Sequence, residues 1–453
     1  MAGLIGRQAV VVGAGMGGLT AARALADHFE YVLVFDRDAL PHRAEDRPGV
    51  PQGKHVHALL AGGQHALCDL FAGFKQDLVQ MGAIPIRAGL DVRLERPGYH
   101  PFPQRDLGFD LYAQSRARLE LAVRRRVQAH AGIEVRQQCR VQELIARADG
   151  TAVTGARYAT PDGKSETVEA DLVVDASGRG TPTLELLESI GRPLPAAITI
   201  GVDVAYATAV FAIPEDASRD WNGVFHFPQP PSSRFAMLLP IEGGRWIVTL
   251  AGRHRERPPG DLAGFLAYAQ SFRSPTIYDA IKHAKPLGAI ARTGFPESAH
   301  RRYDQVPAFP RGLVPLGDSL CRFNPAYGQG MSVAAQEACA LRRFLTARAG
   351  ERDPLDGLAS AFFAEADALI ETPWAQAAIP DFIHPETRGE RPVNFKETLK
   401  YGFALTKLMA RDPAVHKLAA EVQNLLKPRS AFFEPEFMQR VMAVMAEGIR
   451  RSP

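Results

Sequence analysis

A short run near the N-terminus, Gly13-Ala-Gly15-Met-Gly17-Gly18, has the residue types and spacing to hold a phosphate group. Gly13 allows a tight turn, Gly15 lets backbone approach a pyrophosphate, and Gly18 lets a following helix pack closely on the preceding strand. Phosphate oxygens would then meet the unpaired N–H groups and the positive dipole end of that helix. Dinucleotide binding also calls for an acidic residue about twenty positions further on, to bind ribose hydroxyls, and Asp36 stands there. The glycine pattern alone is weak. Here residues 8–12 read as a strand before it, residues 16–26 as a helix after it, and residues 31–35 as a second strand ending at Asp36.

Two further segments carry related signals downstream. Asp171-Leu-Val-Val-Asp175-Ala-Ser177-Gly178-Arg-Gly-Thr181 is a strand running into a small-residue turn. Residues 313–316 are another apolar strand, ending at Gly317-Asp318, and Asn324-Pro325-Ala-Tyr-Gly328-Gln329-Gly330-Met331 then launches a long helix. Taken in order, these segments resemble the single-component FAD monooxygenases similar to para-hydroxybenzoate hydroxylase, across roughly residues 9–345. The resemblance implies FAD as cofactor, with Gly13, Gly15, Gly18 and Asp36 at its adenosine end and Gly317-Asp318 at its ribitol. It places Gly328, Gln329, Gly330 and Met331 against the isoalloxazine ring and gives Arg116 a cofactor contact, with Lys54 and Ser177 as further candidates. N–H groups near Gly330 and Met331 would stabilise negative charge on the reduced ring.

The chain departs from the family pattern in places. Ser319-Leu320-Cys321 replaces the usual Ala-Ala-His, and Ser177 stands where an aspartate is usual. With Gln52-Gly-Lys54-His55-Val-His57-Ala-Leu-Leu, these segments look more like a branch containing bacterial polyether epoxidases. That resemblance implies a flavin C4a-hydroperoxide delivering oxygen to an apolar organic substrate, by alkene epoxidation or by hydroxylation, with dioxygen as co-substrate. NADPH or NADH, or a separate reductase, would supply electrons. Such chemistry needs no protein nucleophile, so no catalytic residue is assigned; His55, His57 and Asn324 are candidates. The two histidines could line the cofactor pocket, or simply pack and cap a helix. No second His or Cys pair at ligand spacing accompanies them, so no metal is expected.

The elements that must position these residues follow from pattern. The fold class expected is α/β: a Rossmann-type FAD-binding domain, glutathione reductase-like, with an inserted β-sheet substrate domain and a C-terminal helical region. Residues 57–74 and 115–131 read as helices; 132–135, 144–146, 153–158 and 169–174 read as strands. Strand-like runs at 198–207, 223–227, 234–240 and 246–251, divided by Pro, Gly and Ser, form a separate sheet. Expected boundaries are 1–190 with 285–350 for the cofactor domain, 191–284 for the sheet domain and 351–453 for the helices. Segments near 80–112 are expected on the substrate side. Tyr206, Phe225, Phe235 and Trp246 are candidate pocket walls.

Composition narrows the classes. A net charge of +3 over 453 residues, with no long basic run, argues against a nucleic-acid partner. Four scattered cysteines suggest a reducing compartment, and a βα unit at the very start is unlike a signal peptide. No apolar run approaches the roughly 20 residues of a membrane span, so a cytoplasmic enzyme is expected. No Gly-x-Ser-x-Gly elbow or Trp-x-Trp-x-Ile-Pro segment is present, which removes the main hydrolase and halogenase signatures. The rivals are a FAD reductase or dehydrogenase acting on a double bond without oxygen transfer, and a non-catalytic flavin-fold binding protein.

Overall fold

The computed structural model describes residues 3–450 apart from His100, Asp216 and Ser218. Val10-Val11-Val12 and Leu172-Val173-Val174 are apolar without alternation, as strands covered on both faces must be. They lie in a five-stranded parallel sheet ordered Leu313–Pro315, Leu172–Asp175, Gly6–Val12, Phe29–Phe35, Ile133–Arg136. Successive residues serve opposite layers. Ala9 and Val11 face helices Met16–Leu25 and Gly330–Arg348. Val10 and Val12 face a three-stranded antiparallel sheet, Arg140–Ala146, Val153–Ala159 and Ser165–Glu169. This is the α/β Rossmann-type architecture.

A seven-stranded sheet stands beside it. Its order is Cys321–Arg322, Ala291–Arg301, Ala197–Ala212, Arg245–Arg253, Phe235–Ile241, Gly223–His226, Val92–Glu95. Val92–Glu95 is its one parallel edge pairing among the described residues. The expected boundary at 284 needs correction, because Ala291–Arg301 pairs with Ala197–Ala212 along most of its length. Gly294 and Pro296 interrupt its β pattern, which hides an eleven-residue strand from sequence reading.

Two other expectations change. The strand expected at 169–174 is two strands in different sheets; the chain breaks at Asp171, whose Oδ2 accepts N–H from Arg7 (2.7 Å) and Gln8 (3.0 Å). The helix expected over 57–74 runs only from Ala61 to Leu70. Gly73, with φ of +79°, starts a separate helix, Phe74–Gln80. Residues 55–60 are instead extended along the start of the Gly330 helix, where Leu60 N donates to Ser332 Oγ at 3.1 Å.

The C-terminal region is helical: Leu358–Asp381, Phe395–Arg411, Pro413–Gln423 and Pro435–Arg450. The first passes through Pro373 and Pro380 and ends at Asp381. No helix among the described residues is long and apolar enough to cross a membrane.

Candidate functional site

The three motifs occupy the carboxyl ends of adjacent parallel strands, the place where open α/β sheets bind ligands. The glycine turn follows Gly6–Val12, Ser177 follows Leu172–Asp175, and Gly317-Asp318 follows Leu313–Pro315. They touch one another. Gly178 N donates to Ser319 Oγ at 3.0 Å, and a β-carbon on Gly17 would lie 3.3 Å from Leu316 and 3.7 Å from Ala334.

Each fingerprint glycine has its own geometry. Gly13 has φ of +98°, and a β-carbon on Gly18 would fall 1.7 Å from Gly13 O, so the helix sits directly on the turn. Gly15 differs: its β-carbon would meet nothing within 4 Å, leaving open space at the N-terminus of helix Met16–Leu25. That cradle suits a pyrophosphate.

Asp36 is buried and organises the turn itself. Its Oδ2 accepts N–H from Ala14 at 2.7 Å, its Oδ1 accepts from Asp38 N at 2.9 Å, and Arg47 Nη1 lies 3.2 Å away. Arg47 also pairs with Asp38 (2.8 Å) and Glu120 (2.8 Å) and donates to Ala14 O (3.1 Å). Sequence reading missed Arg47, since an arginine inside a polar Pro/Gly loop carries no periodic signal. Arg116 is buried beside this cluster; its Nη1 lies 3.0 Å from Glu120 Oε2 without a well-directed hydrogen bond.

Asp318 forms no hydrogen bond or ion pair among the described residues. Burial raises its carboxyl, against the opposing pull of Arg322, Arg179, Arg116 and Arg301. Its Oδ1 would lie 3.6 Å from a β-carbon on Gly330, so the Gly-Asp turn abuts the start of the long helix. Glu337, about two turns further along that helix and wholly buried, accepts Gly317 N at 2.7 Å through Oε2. Burial pushes its carboxyl up to about 8, and Oε1 has no partner among the described residues. Ser177 Oγ and Gln329 Oε1 are likewise buried without partners among the described residues. An open phosphate cradle, an unbonded carboxylate and these orphaned polar atoms, all along one strand-end line, fit FAD.

The loop before the Gly330 helix is held by a buried polar network. Asn324 donates through Nδ2 to Asp381 Oδ2 (3.0 Å), and its Oδ1 accepts from Tyr206 OH (3.1 Å) and Ala326 N (3.1 Å). Asp381 Oδ1 also accepts from Tyr327 OH (2.7 Å) and Arg253 Nη2 (2.8 Å). Asn324 thus positions the loop rather than facing it as a free polar group. Arg253, Tyr327 and Asp381 were not anticipated; they come from three regions far apart in sequence. Lys54 is exposed and makes no ion pair among the described residues.

Strand alternation sorts the pocket candidates. Tyr206 and Phe235 face the loop, together with Met237, Ala251 and Ala326. Phe225 faces the same side, near Val56 and Met237. Trp246 does not. It is one residue out of phase, on the opposite face with Phe211, Trp221 and Phe265, and belongs to the core beneath helix Leu262–Gln270. It is removed from the pocket wall.

His55 and His57 lie on the extended segment between that sheet and the loop. His57 Nδ1 is 2.9 Å from His55 O, and His55 Nδ1 is 2.7 Å from Thr208 Oγ1. Burial lowers both to about 4, so both are neutral at ordinary pH. Among the described residues, no group of three His, Cys, Asp or Glu is arranged to hold a metal.

The strand-end site therefore defines a flavin-nucleotide class of protein, and residues 7–361 match the family model described as FAD binding domain. The chain belongs to this family and is an FAD-dependent oxidoreductase. It is 34% identical to Protein Rv3254 of Mycobacterium tuberculosis (strain ATCC 25618 / H37Rv) over 362 residues, 77% of this chain and 75% of that one. Among solved structures it is similar to the flavin-dependent brominase Bmp2, at 16% identity and TM-score 0.68, covering 99% of this chain and 100% of that one. It is also similar to p-nitrophenol 4-monooxygenase PnpA from Pseudomonas putida DLL-E4, at 16% identity and TM-score 0.63, over 94% and 100% of the chains. The fold is that of flavin-dependent monooxygenases and halogenases.

Proposed function

We propose that this protein is a monooxygenase that inserts one oxygen atom of dioxygen into a mostly apolar organic substrate. The other atom leaves as water, and NADPH or NADH provides the two electrons. The observation that carries this reading is the juxtaposition of the FAD motifs with an apolar sheet face, Tyr206, Phe235 and Met237, across the Asn324–Gly330 loop. FAD, when bound, supplies the redox and oxygen-activating chemistry. The chain's own part is to hold it, through the Gly15 cradle, Asp318 and Arg116, and to exclude water beside the loop. The likeness to polyether epoxidases favours alkene epoxidation over hydroxylation. Four unpaired thiols, three of them buried, support a cytoplasmic setting.

The test begins with the visible spectrum of the purified protein, recorded anaerobically before and after NADPH. Bleaching of a flavin spectrum, followed by labelled oxygen from dioxygen in a product, supports the proposal. Bleaching with turnover but no label in any product replaces it with a reductase. Flavin that stays oxidised until a reductase is added assigns reduction to a partner. Asp318→Ala is expected to lose FAD; retention equal to wild type would remove Asp318 from the cofactor site.

A further inference from the structure

His55 belongs to a chain of hydrogen bonds that fixes which ring nitrogen carries its proton. Thr208 and Thr249 are a cross-strand pair on the loop-facing side of the second sheet, both buried. Val56 N donates to Thr249 Oγ1 at 3.0 Å, the two hydroxyl oxygens are 2.6 Å apart, and Thr208 Oγ1 is 2.7 Å from His55 Nδ1. Two proton arrangements are available. If Nδ1 donates to Thr208 and Thr208 to Thr249, the Thr249 proton has no acceptor among the described residues. If Thr249 donates to Thr208 and Thr208 to Nδ1, both hydroxyl protons are used and Nε2–H alone lacks a partner among the described residues, whereas the first arrangement strands both the Thr249 proton and the Nε2 lone pair. The second arrangement makes Nδ1 an acceptor and places the imidazole proton on Nε2.

That Nε2–H is buried and has no hydrogen-bond partner among the described residues, an arrangement that costs free energy unless a ligand accepts it. Its neighbours locate it. The His55 ring lies 5.8 Å from the Tyr206 ring, whose hydroxyl holds Asn324 of the cofactor loop. A β-carbon on Gly328 would be 3.4 Å from Ala58 O, so the histidine segment runs beside that loop. The charged and titratable groups facing this segment include Lys54, Arg116, His57 and Tyr206; among the described residues no carboxylate pairs with His55.

We propose that His55 Nε2–H is a neutral hydrogen-bond donor to an oxygen atom of the substrate, so that the substrate class is an apolar molecule bearing a carbonyl, hydroxyl or ether oxygen. This rests on the monooxygenase reading above. The Thr249–Thr208 relay holds the donor tautomer, and Thr208 and Thr249 are positioning residues.

The test uses the FAD-loaded full chain and two probes of similar size, acetophenone, which has an acceptor oxygen, and ethylbenzene, which has none. Nitrogen-15 histidine spectra are expected to show His55 neutral at pH 6 with its proton on Nε2. Acetophenone is expected to move that Nε2–H resonance downfield while ethylbenzene does not. Acetophenone should also bind about 3- to 10-fold tighter relative to ethylbenzene in wild type than in His55→Leu, the range of one hydrogen bond. His55→Gln, which keeps an N–H near the Nε2 position, should retain part of the preference. Thr208→Val should mix the tautomers without unloading FAD. A proton on Nδ1, a cationic ring at pH 6, or the same Nε2 response to both probes, including none, overturns the proposal. FAD-loaded protein that gives these histidine results but incorporates no oxygen refutes the monooxygenase reading instead.

Discussion

Replacing Asp381 with alanine should release the cofactor loop. Asp381 is fully buried and accepts hydrogen bonds from Arg253, Tyr327 and Asn324, at 2.7 to 3.1 Å. Removing it leaves the Arg253 guanidinium, only 3% exposed, without its countercharge, and strands two further donors. Breaking one side of a buried ion pair costs about 3–5 kcal/mol. That is a large share of the roughly 5–15 kcal/mol that keeps a protein folded. Urea titration followed by circular dichroism and by flavin fluorescence should show flavin released at lower urea than secondary structure is lost, since Asn324 and Tyr327 lie in the loop. The double variant Asp381→Leu with Arg253→Met removes both charges and is expected to recover most of the global stability while flavin release stays early. A loss below about 1 kcal/mol for Asp381→Ala, within the range of an ordinary surface change, would refute the reasoning. So would a double variant in which flavin retention returns in full.

Gly15→Ala should leave the apo protein's stability within about 0.5 kcal/mol, because its β-carbon meets nothing, yet weaken FAD binding about tenfold or more by filling the cradle, as read by flavin titration. Gly18→Ala should destabilise the apo protein as well, because its β-carbon would collide with Gly13 O, and thermal unfolding checks this. Trp246→Ala should cost about 3–5 kcal/mol in denaturant unfolding but leave substrate preference unchanged, whereas Phe235→Ala should alter preference. Glu337 has a folded-state carboxyl near 8, above its ordinary 4.5, so the native state holds a proton the unfolded chain has released. Stability should therefore fall as pH rises from 4.5 to 8, by about 1.4 kcal/mol per unit, and melting curves of Glu337→Gln should lack that slope.

The cofactor half of the molecule was legible because its signals are local. A glycine turn, the strand before it and the helix after it occupy consecutive residues, and unbroken runs such as Val10-Val11-Val12 mark parallel strands covered on both faces. The second sheet was legible only where alternation was clean. Ala291–Arg301 escaped because Gly294 and Pro296 sit inside it, and its pairing partner lies about ninety residues earlier. Trp246 was misplaced by one residue of phase, since an aromatic in a strand announces burial but not which face is buried. Arg47, Arg253 and Asp381 could not be seen at all. Each is a charge whose partner is brought to it by tertiary structure, and a lone charge in sequence reads as solvated surface.

Arg253 and Asp381 show how the two sheets become one site. Apolar packing joins the second sheet to helix Leu358–Asp381 through Ala378 and Phe382, but it is non-directional and tolerates small slips. The directional contacts on the cofactor loop are polar: Tyr206 to Asn324, and Arg253, Tyr327 and Asn324 to Asp381. Hydrogen bonds of this kind weaken steeply with misalignment, so they set position where apolar contact sets only proximity. Because Asp381 belongs to the C-terminal helices, those helices help define the loop geometry and are more than an outer cover. Truncation within them should therefore change flavin binding even though the cofactor motifs all lie before residue 332.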